Sequence, residues 1–130
     1  MEIEKKYLLK KNPDFSVCEY HKIEQAYLCT DPVVRVRRED ETYYMTYKGR
    51  GMLVREEYNL PLNKEAYEHL KAKADGNVIG KVRYLVPLND TGLTAEVDVF
   101  DEPFAPLVMA EVEFDSEEQA AAFVAPDWFG

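Results

Sequence analysis

Apolar and polar positions alternate along nearly the whole chain, the period of strands, whose successive side chains point to opposite faces. The alternation predicts strands at about residues 2–10, 22–29, 33–39, 42–49, 53–60, 79–88, 93–100 and 107–114. Turn formers separate them: Asp31-Pro32, Asp40-Glu41, Gly49-Arg50-Gly51, Asn89-Asp90-Thr91-Gly92 and Asp101-Glu102-Pro103. Two segments follow a helical period instead. Asn63 to Lys73 sets Ala66, Leu70 and Ala74 at helical spacing, with a capping Asn at its start and Gly76 beyond its end. Ser116-Glu117-Glu118-Gln119 is a capping-box pattern that opens a second short helix, which Pro126 must follow rather than join. Eight strands with two helical insertions, and no internal repeat or linker, predict a single mainly β (α+β) domain over residues 1–130. An antiparallel barrel fits better than a parallel sheet.

Each predicted strand carries charge on one face. Glu2, Glu4 and Lys6 oppose Ile3, while Arg35 and Arg37 oppose Val34 and Val36. Lys48 shares a face with Tyr44 and Thr46; Arg55 shares one with Glu57 and Asn59. Lys81 and Arg83 oppose Val82 and Tyr84, Glu96 and Asp98 oppose Val97 and Val99, and Glu111 and Glu113 oppose Ala110 and Val112. Any one such strand, taken alone, is most simply half-exposed with its polar side in water. Three features argue otherwise. The polar faces hold long charged residues almost exclusively. Like charges pair at i, i+2, which repels unless something of opposite sign lies between. The two helices can also cover only part of the apolar faces. A closed barrel with the charged face inward accounts for all three, its apolar face packing outward against helices or another subunit.

Composition narrows the class. At 130 residues and 46% hydrophobic content the chain is long enough for one core and too short for two. No run of 18 apolar residues is present, so no membrane span is expected. The start, Met1-Glu2-Ile3-Glu4, has none of the order of a secretory signal, and the cytoplasm is the expected location. The formal charge of −9 argues against a nucleic-acid partner and an anionic membrane surface. The inward faces balance bases against acids, so the excess of acid falls outside them. Cys18 and Cys29 lack metal-type spacing; Cys29, in the run Ala26-Tyr27-Leu28-Cys29, reads as a small buried filler. His21 and His69 fall outside the charged pattern and read as surface residues.

The inward bases can hold a highly charged anion, with Arg35 and Arg37 each offering a fork to phosphate oxygens. Carboxylates alone would repel such a ligand. They make sense if they hold a hard divalent cation that bridges to phosphate, and an all-oxygen set suits Mg²⁺ or Mn²⁺ rather than zinc.

Glu2-x-Glu4-x-Lys6 resembles the ExExK signature of the CYTH, or triphosphate tunnel metalloenzyme, superfamily. The resemblance continues in order through Ile23-Glu24-Gln25-Ala26-Tyr27-Leu28, Arg35-x-Arg37, Lys48-Gly49, Arg55-x-Glu57, Lys81-x-Arg83-Tyr84, Glu96-x-Asp98-x-Phe100 and Glu111-x-Glu113. It implies an eight-stranded antiparallel β-barrel or tunnel with a charged lumen and peripheral short helices. It also implies metal-dependent hydrolysis of the terminal phosphoanhydride of a triphosphate. By that resemblance Glu2, Glu4, Glu111 and Glu113 hold metal, and Lys6, Arg35, Arg37, Lys48, Lys81 and Arg83 grip the phosphates. Arg55 joins this grip from its inward position. Glu57 and Asp98 are the catalytic candidates, positioning a second metal or the attacking water. Inorganic triphosphate is the expected substrate, since the inward faces offer no aromatic platform for a nucleobase or thiazole unless Tyr27, Tyr44 or Tyr84 lines a mouth. Thiamine triphosphatase, class IV adenylate cyclase and RNA 5′-triphosphatase are the rivals within the fold. A non-hydrolysing polyphosphate or nucleotide sensor is the rival outside it.

Two departures bear on the site. Asn59 stands where several relatives carry another acid, which predicts one metal instead of two. Relatives with a tail similar to Pro126-Asp127-Trp128-Phe129-Gly130 run on into a polar, Tyr-bearing segment that closes the tunnel. The expectation is therefore a complete site in an enclosure short of its closing segment, with a homodimer as one way to cover the exposed face.

Overall fold

The computed structural model describes residues 2–51, 53–88 and 91–130. Its strands are β1 (Glu2–Leu8), β2 (Glu19–Thr30), β3 (Val33–Glu39), β4 (Thr42–Lys48), β5 (Val54–Arg55), β6 (Glu57–Leu62), β7 (Asp75–Leu88), β8 (Leu93–Phe100) and β9 (Val108–Glu113). The helices are α1 (Lys64–Lys71) and α2 (Glu117–Ala122). All pairings between strands are antiparallel, in the order β5-β1-β9-β8-β7-β2-β3-β4-β6. The two outermost strands of that order are consecutive in the chain, with only Glu56 between them, so the sheet curls into a nearly closed barrel.

The ninth strand arises because the expected strand at 53–60 bends. Its first part pairs with β1 (Glu2↔Arg55, Ile3↔Val54) and its second with β4 (Lys48↔Glu57 through Tyr43↔Leu62). Gly51 permits the bend: its φ is 145°, and a Cβ there would meet the Val54 carbonyl oxygen at 2.2 Å. Arg55 stands opposite Glu2 in the β1 register, but its side chain turns back along the corner: Nε donates to the Gly51 carbonyl at 2.9 Å, and Arg55 is not among the residues that line the central cavity.

Apolar faces point outward under two covers. Over β7, β8 and β9, Leu88, Ala95, Val97, Ala110 and Val112 pack with Phe114, Ala120 of α2 and Phe129 of the C-terminal segment. Ser116 caps α2 by accepting from the Gln119 amide at 3.0 Å, and the Gln119 side chain accepts from the Asp115 amide at 2.6 Å. No basic residue lies in the last turn of α2; Lys5 of β1 supplies the cation, donating to the Ala120 carbonyl at 2.7 Å.

Over β2, β3 and β4 the cover is α1, capped by Asn63, which accepts from the Ala66 amide at 2.7 Å. Its buried anchor is Tyr67, packed on Ala26 and Val36 with Leu70 and Ala74 beside it. Burying such a side chain is worth about 1.5–3 kcal/mol. The Tyr67 hydroxyl donates to Glu24 Oε1 at 2.7 Å, where Lys71 joins it at 3.0 Å.

Cys29 is exposed rather than buried, because β2 shifts register between Tyr27 and Cys29 and carries the cysteine beyond the apolar cover. Asn89 and Asp90 of the predicted turn lie outside the described residues. Among the described residues, no helix is long and apolar enough to cross a membrane.

Candidate functional site

The inward faces enclose a cavity of about 470 Å³. Glu2, Glu4 and Lys6 reach it from β1, Arg35 from β3, Lys48 from β4 and Glu57 from β6. Lys81 and Arg83 reach it from β7, Glu96 from β8, and Glu111 and Glu113 from β9. Arg37 and Asp98 lie just behind this lining, at 4% and 1% exposure.

The β7–β8 register sets Arg83 directly opposite Asp98. Asp98 Oδ1 accepts from Arg83 Nε at 2.7 Å, and Oδ2 accepts from Lys81 Nζ at 2.6 Å and Arg83 Nη2 at 2.9 Å. Arg83 also reaches Glu96 at 3.1 Å and Glu111 at 3.8 Å. Burial, with Arg83 and Arg37 adding to it, pulls Lys81 down to about 8 against the attraction of Asp98. Burial opposes the Arg83 charge as well, but the hydrogen bonds and charge of Asp98 outweigh it and raise the guanidinium above its ordinary value. Burial alone would raise Asp98; Arg83 and Lys81 hold it below the usual carboxylate range. Both Asp98 oxygens are engaged in holding these two bases, leaving the lumen to the bases themselves.

The pair on β3 is built differently. Arg37 faces Gln25 across one register and Tyr44 across the other. Its Nε donates to Gln25 Oε1 at 2.9 Å and its Nη2 donates to the same oxygen. Among the described residues no carboxylate lies within 4.0 Å of either Arg35 or Arg37, and Arg35 Nε is buried without a hydrogen-bond partner. Burial, then the charges of Arg35 and Arg83, lower Arg37 from its ordinary value. A buried charge without a counter-ion is costly, so this half of the lumen is built for an anion from outside.

The acids gather around Lys48, whose Nζ lies 3.0 Å from Glu2, 3.5 Å from Glu57 and 3.9 Å from Glu4. Glu2 and Glu57 sit close enough to share a proton. Burial and the Glu57 hydrogen bond push Glu2 up to about 7. Glu57 resists the effect of burial and is held down to about 2 by its bonds to Glu2 and to Asn59 Nδ2, the latter at 3.1 Å. Asn59 in turn accepts from Thr46 at 2.6 Å, which steadies its bond to Glu57. Burial and the neighbouring Glu111 raise Glu4, while Arg83 overcomes burial to lower Glu111. The β1–β9 register places Glu4 opposite Glu113 and Lys6 opposite Glu111.

The donor chemistry of these carboxylates fits a hard divalent cation. Among the described residues, no three acidic, His or Cys groups surround one point. An ion such as Mg²⁺ needs no such cage, because it keeps waters and takes one or two carboxylates plus substrate oxygens.

Several lining residues lie outside the sequence-based selection. Gln25, Tyr27, Glu39 and Tyr44 face the cavity, as do Ile79, Phe100, Phe104, Leu107 and Met109. Parity could have found most of the apolar ones: Ile79 shares the face of Lys81, Phe100 that of Glu96 and Asp98, and Leu107 and Met109 that of Glu111. Phe104 comes from a loop, where parity says nothing. The lumen thus holds aromatic surface: of the three tyrosines named as exceptions, Tyr27 and Tyr44 line it, whereas Tyr84 stacks on Phe15 at 4.2 Å.

An inside-out antiparallel barrel, with charge lining its lumen and apolar faces outside, defines a class of tunnel proteins for charged ligands. The chain belongs to the CYTH domain family, which it matches over residues 1–125. It is 40% identical to the inorganic triphosphatase of Nitrosomonas europaea over 134 aligned positions, covering 99% of this chain and 86% of that protein. It superposes on the crystal structure of the inorganic triphosphatase NE1496 with a TM-score of 0.71 at 36% identity, covering 100% of this chain and 84% of that one. HpAC1 from Hippeastrum, a protein described with a dominant triphosphatase activity, shares the fold at a TM-score of 0.70 and 17% identity, over 93% of this chain and 83% of that one.

Proposed function

We propose that this chain is a divalent-metal-dependent triphosphatase that cleaves the terminal phosphoanhydride of inorganic triphosphate or a related triphosphate-bearing molecule. The buried Arg35–Arg37 pair, without a carboxylate partner among the described residues and with Arg35 facing carboxylates across the cavity, carries this reading. The likeness to a named inorganic triphosphatase over almost the whole chain supports it.

In this reading Arg35 and Arg37 hold the phosphate chain by their forks, and Lys6, Lys48, Lys81 and Arg83 add point and forked charge along it. Glu2, Glu4, Glu111 and Glu113 would hold Mg²⁺ or Mn²⁺, which when bound neutralises charge developing on the phosphate oxygens. Glu57, ionised beside Lys48, orients the water that attacks in line with the leaving phosphate. Asp98 works through the two bases it holds.

The aromatic and apolar lining at Tyr27, Tyr44, Phe100 and Phe104 favours a second reading within the same activity, a substrate whose triphosphate carries an organic group. Phosphate release from inorganic triphosphate, ATP and thiamine triphosphate, each with Mg²⁺, Mn²⁺ or EDTA, tests both. The expected result is metal-dependent release, fastest with inorganic triphosphate. No release from any of the three with either metal would overturn the assignment.

A further inference from the structure

Arg37 is oriented by a neutral group. Gln25 lies on β2 opposite Arg37, and both side chains are 4% exposed. One amide oxygen accepts two guanidinium N–H groups, fixing the plane of the fork. An acid in that position would hold the fork more firmly, adding an ion pair to hydrogen bonds that the guanidinium charge already assists. The same lumen uses an acid for that purpose at Asp98, which secures Lys81 and Arg83.

The consequence is electrostatic. Arg35, Arg37, Lys81 and Arg83 sit near enough for charge repulsion: Arg35 and Arg83 depress Arg37, and Arg83 and Arg37 depress Lys81. Asp98, Glu96 and Glu111 offset the charge of Lys81 and Arg83, whereas among the described residues no carboxylate lies within 4.0 Å of Arg35 or Arg37. An acid at residue 25 would cancel the charge of Arg37.

We propose that Gln25 is a positioning and specificity-determining residue, a neutral clamp that aims the Arg37 guanidinium while leaving its charge uncancelled for the ligand. The inference rests on the polyphosphate reading of the cavity, and it names what the clamp selects. A β3 pair that keeps its positive charge uncancelled favours the anion with more negative charge, so Gln25 sets preference for triphosphate over pyrophosphate.

Two substitutions separate aim from charge. Gln25→Glu keeps an acceptor for Arg37 but cancels its charge, whereas Gln25→Met removes the acceptor and leaves the charge. Calorimetric binding of triphosphate and pyrophosphate, melting temperature and steady-state kinetics are measured for each. Gln25→Glu is expected to melt at or above the wild-type temperature, to weaken triphosphate binding about tenfold or more, and to weaken pyrophosphate binding less. KM should rise with it while kcat stays within about threefold. Gln25→Met should weaken both ligands severalfold and keep their ratio. A purely structural role for Gln25 predicts that Gln25→Glu binds triphosphate as well as the wild type, or that the two variants lose it equally; either result overturns the proposal. Wild-type affinity in Gln25→Met overturns it also, even if Gln25→Glu does not fold. A wild type that binds triphosphate without hydrolysing it defeats the enzymatic assignment, yet leaves the clamp to be judged on the binding constants. A wild type that does not bind triphosphate defeats both.

Discussion

Lys81 and Arg83 on β7, and Arg35 and Arg37 on β3, are alike in sequence: two bases two residues apart on an inward face. Their surroundings differ. β7 lies beside β8, which brings Asp98 across to bind both bases. β3 lies between β2 and β4, which offer Gln25, Tyr44 and Thr46 but no carboxylate within reach among the described residues. One pair is bound to a carboxylate before any ligand arrives; in the other, Arg37 is held by a neutral amide and Arg35 Nε has no partner. Strand parity decides which residues face the lumen, and strand order decides which of them are neutralised there.

Asp98→Ala gives the largest effect expected from this contrast. It strands buried Lys81 and leaves Arg83 only Glu96 and Glu111, and urea denaturation should show a loss of about 3–5 kcal/mol, as for breaking a buried ion pair from one side. A loss under about 1 kcal/mol would mean that the two pairs are not different in kind. Arg35→Met should act in the opposite sense on stability. Removing an unpartnered buried charge leaves the protein as stable or more so, while kcat/KM for triphosphate falls about 30- to 100-fold, the equivalent of a lost charged hydrogen bond. Equal losses of stability in both variants would erase the distinction.

The smallest effect is a pH limb. Lys81 in the free protein is pulled down to about 8, below its unfolded value, so it is charged below that pH and neutral above it. Phosphate binding requires the charged form. The kcat/KM for triphosphate should therefore decline above about pH 8, by at most tenfold per unit, and Lys81→Met should lower the plateau and abolish the limb. A decline that persisted in Lys81→Met would assign the titration to another group.

Much of the barrel was legible because alternation is a local property. Glu2, Glu4, Lys48, Glu96 and Glu111 reach the cavity from strands whose faces could be read two residues at a time. What interrupted alternation was not legible in the same way. At the corner by Glu56 the Arg55 side chain folds back onto the Gly51 carbonyl, and the register shift after Tyr27 exposes Cys29. Gln25 is silent in the sequence, because a neutral amide shows no charge pattern; its meaning lies in Arg37, twelve residues away. Phe100, Leu107 and Met109 were hidden by an assumption that the inward face is charged throughout, though parity placed them there. The bonding of Asp98 depended on which strands are neighbours, which spacing along the chain does not encode.

The corner at Glu56 has a consequence for how the chain finds this shape. A ring must be joined somewhere, and β5 and β6 join it between residues that are already neighbours, at almost no cost in loop entropy. The expensive closure lies elsewhere, where β1 pairs with β9 and sets Glu4 against Glu113 from opposite ends of the polypeptide. By chain entropy, the hairpins from β2 to β6 and from β7 to β9 can form early, and the docking of β1 is the step that waits for both. The N-terminal strand that brings Glu2 and Glu4 to the lumen is thus also the stave that completes it.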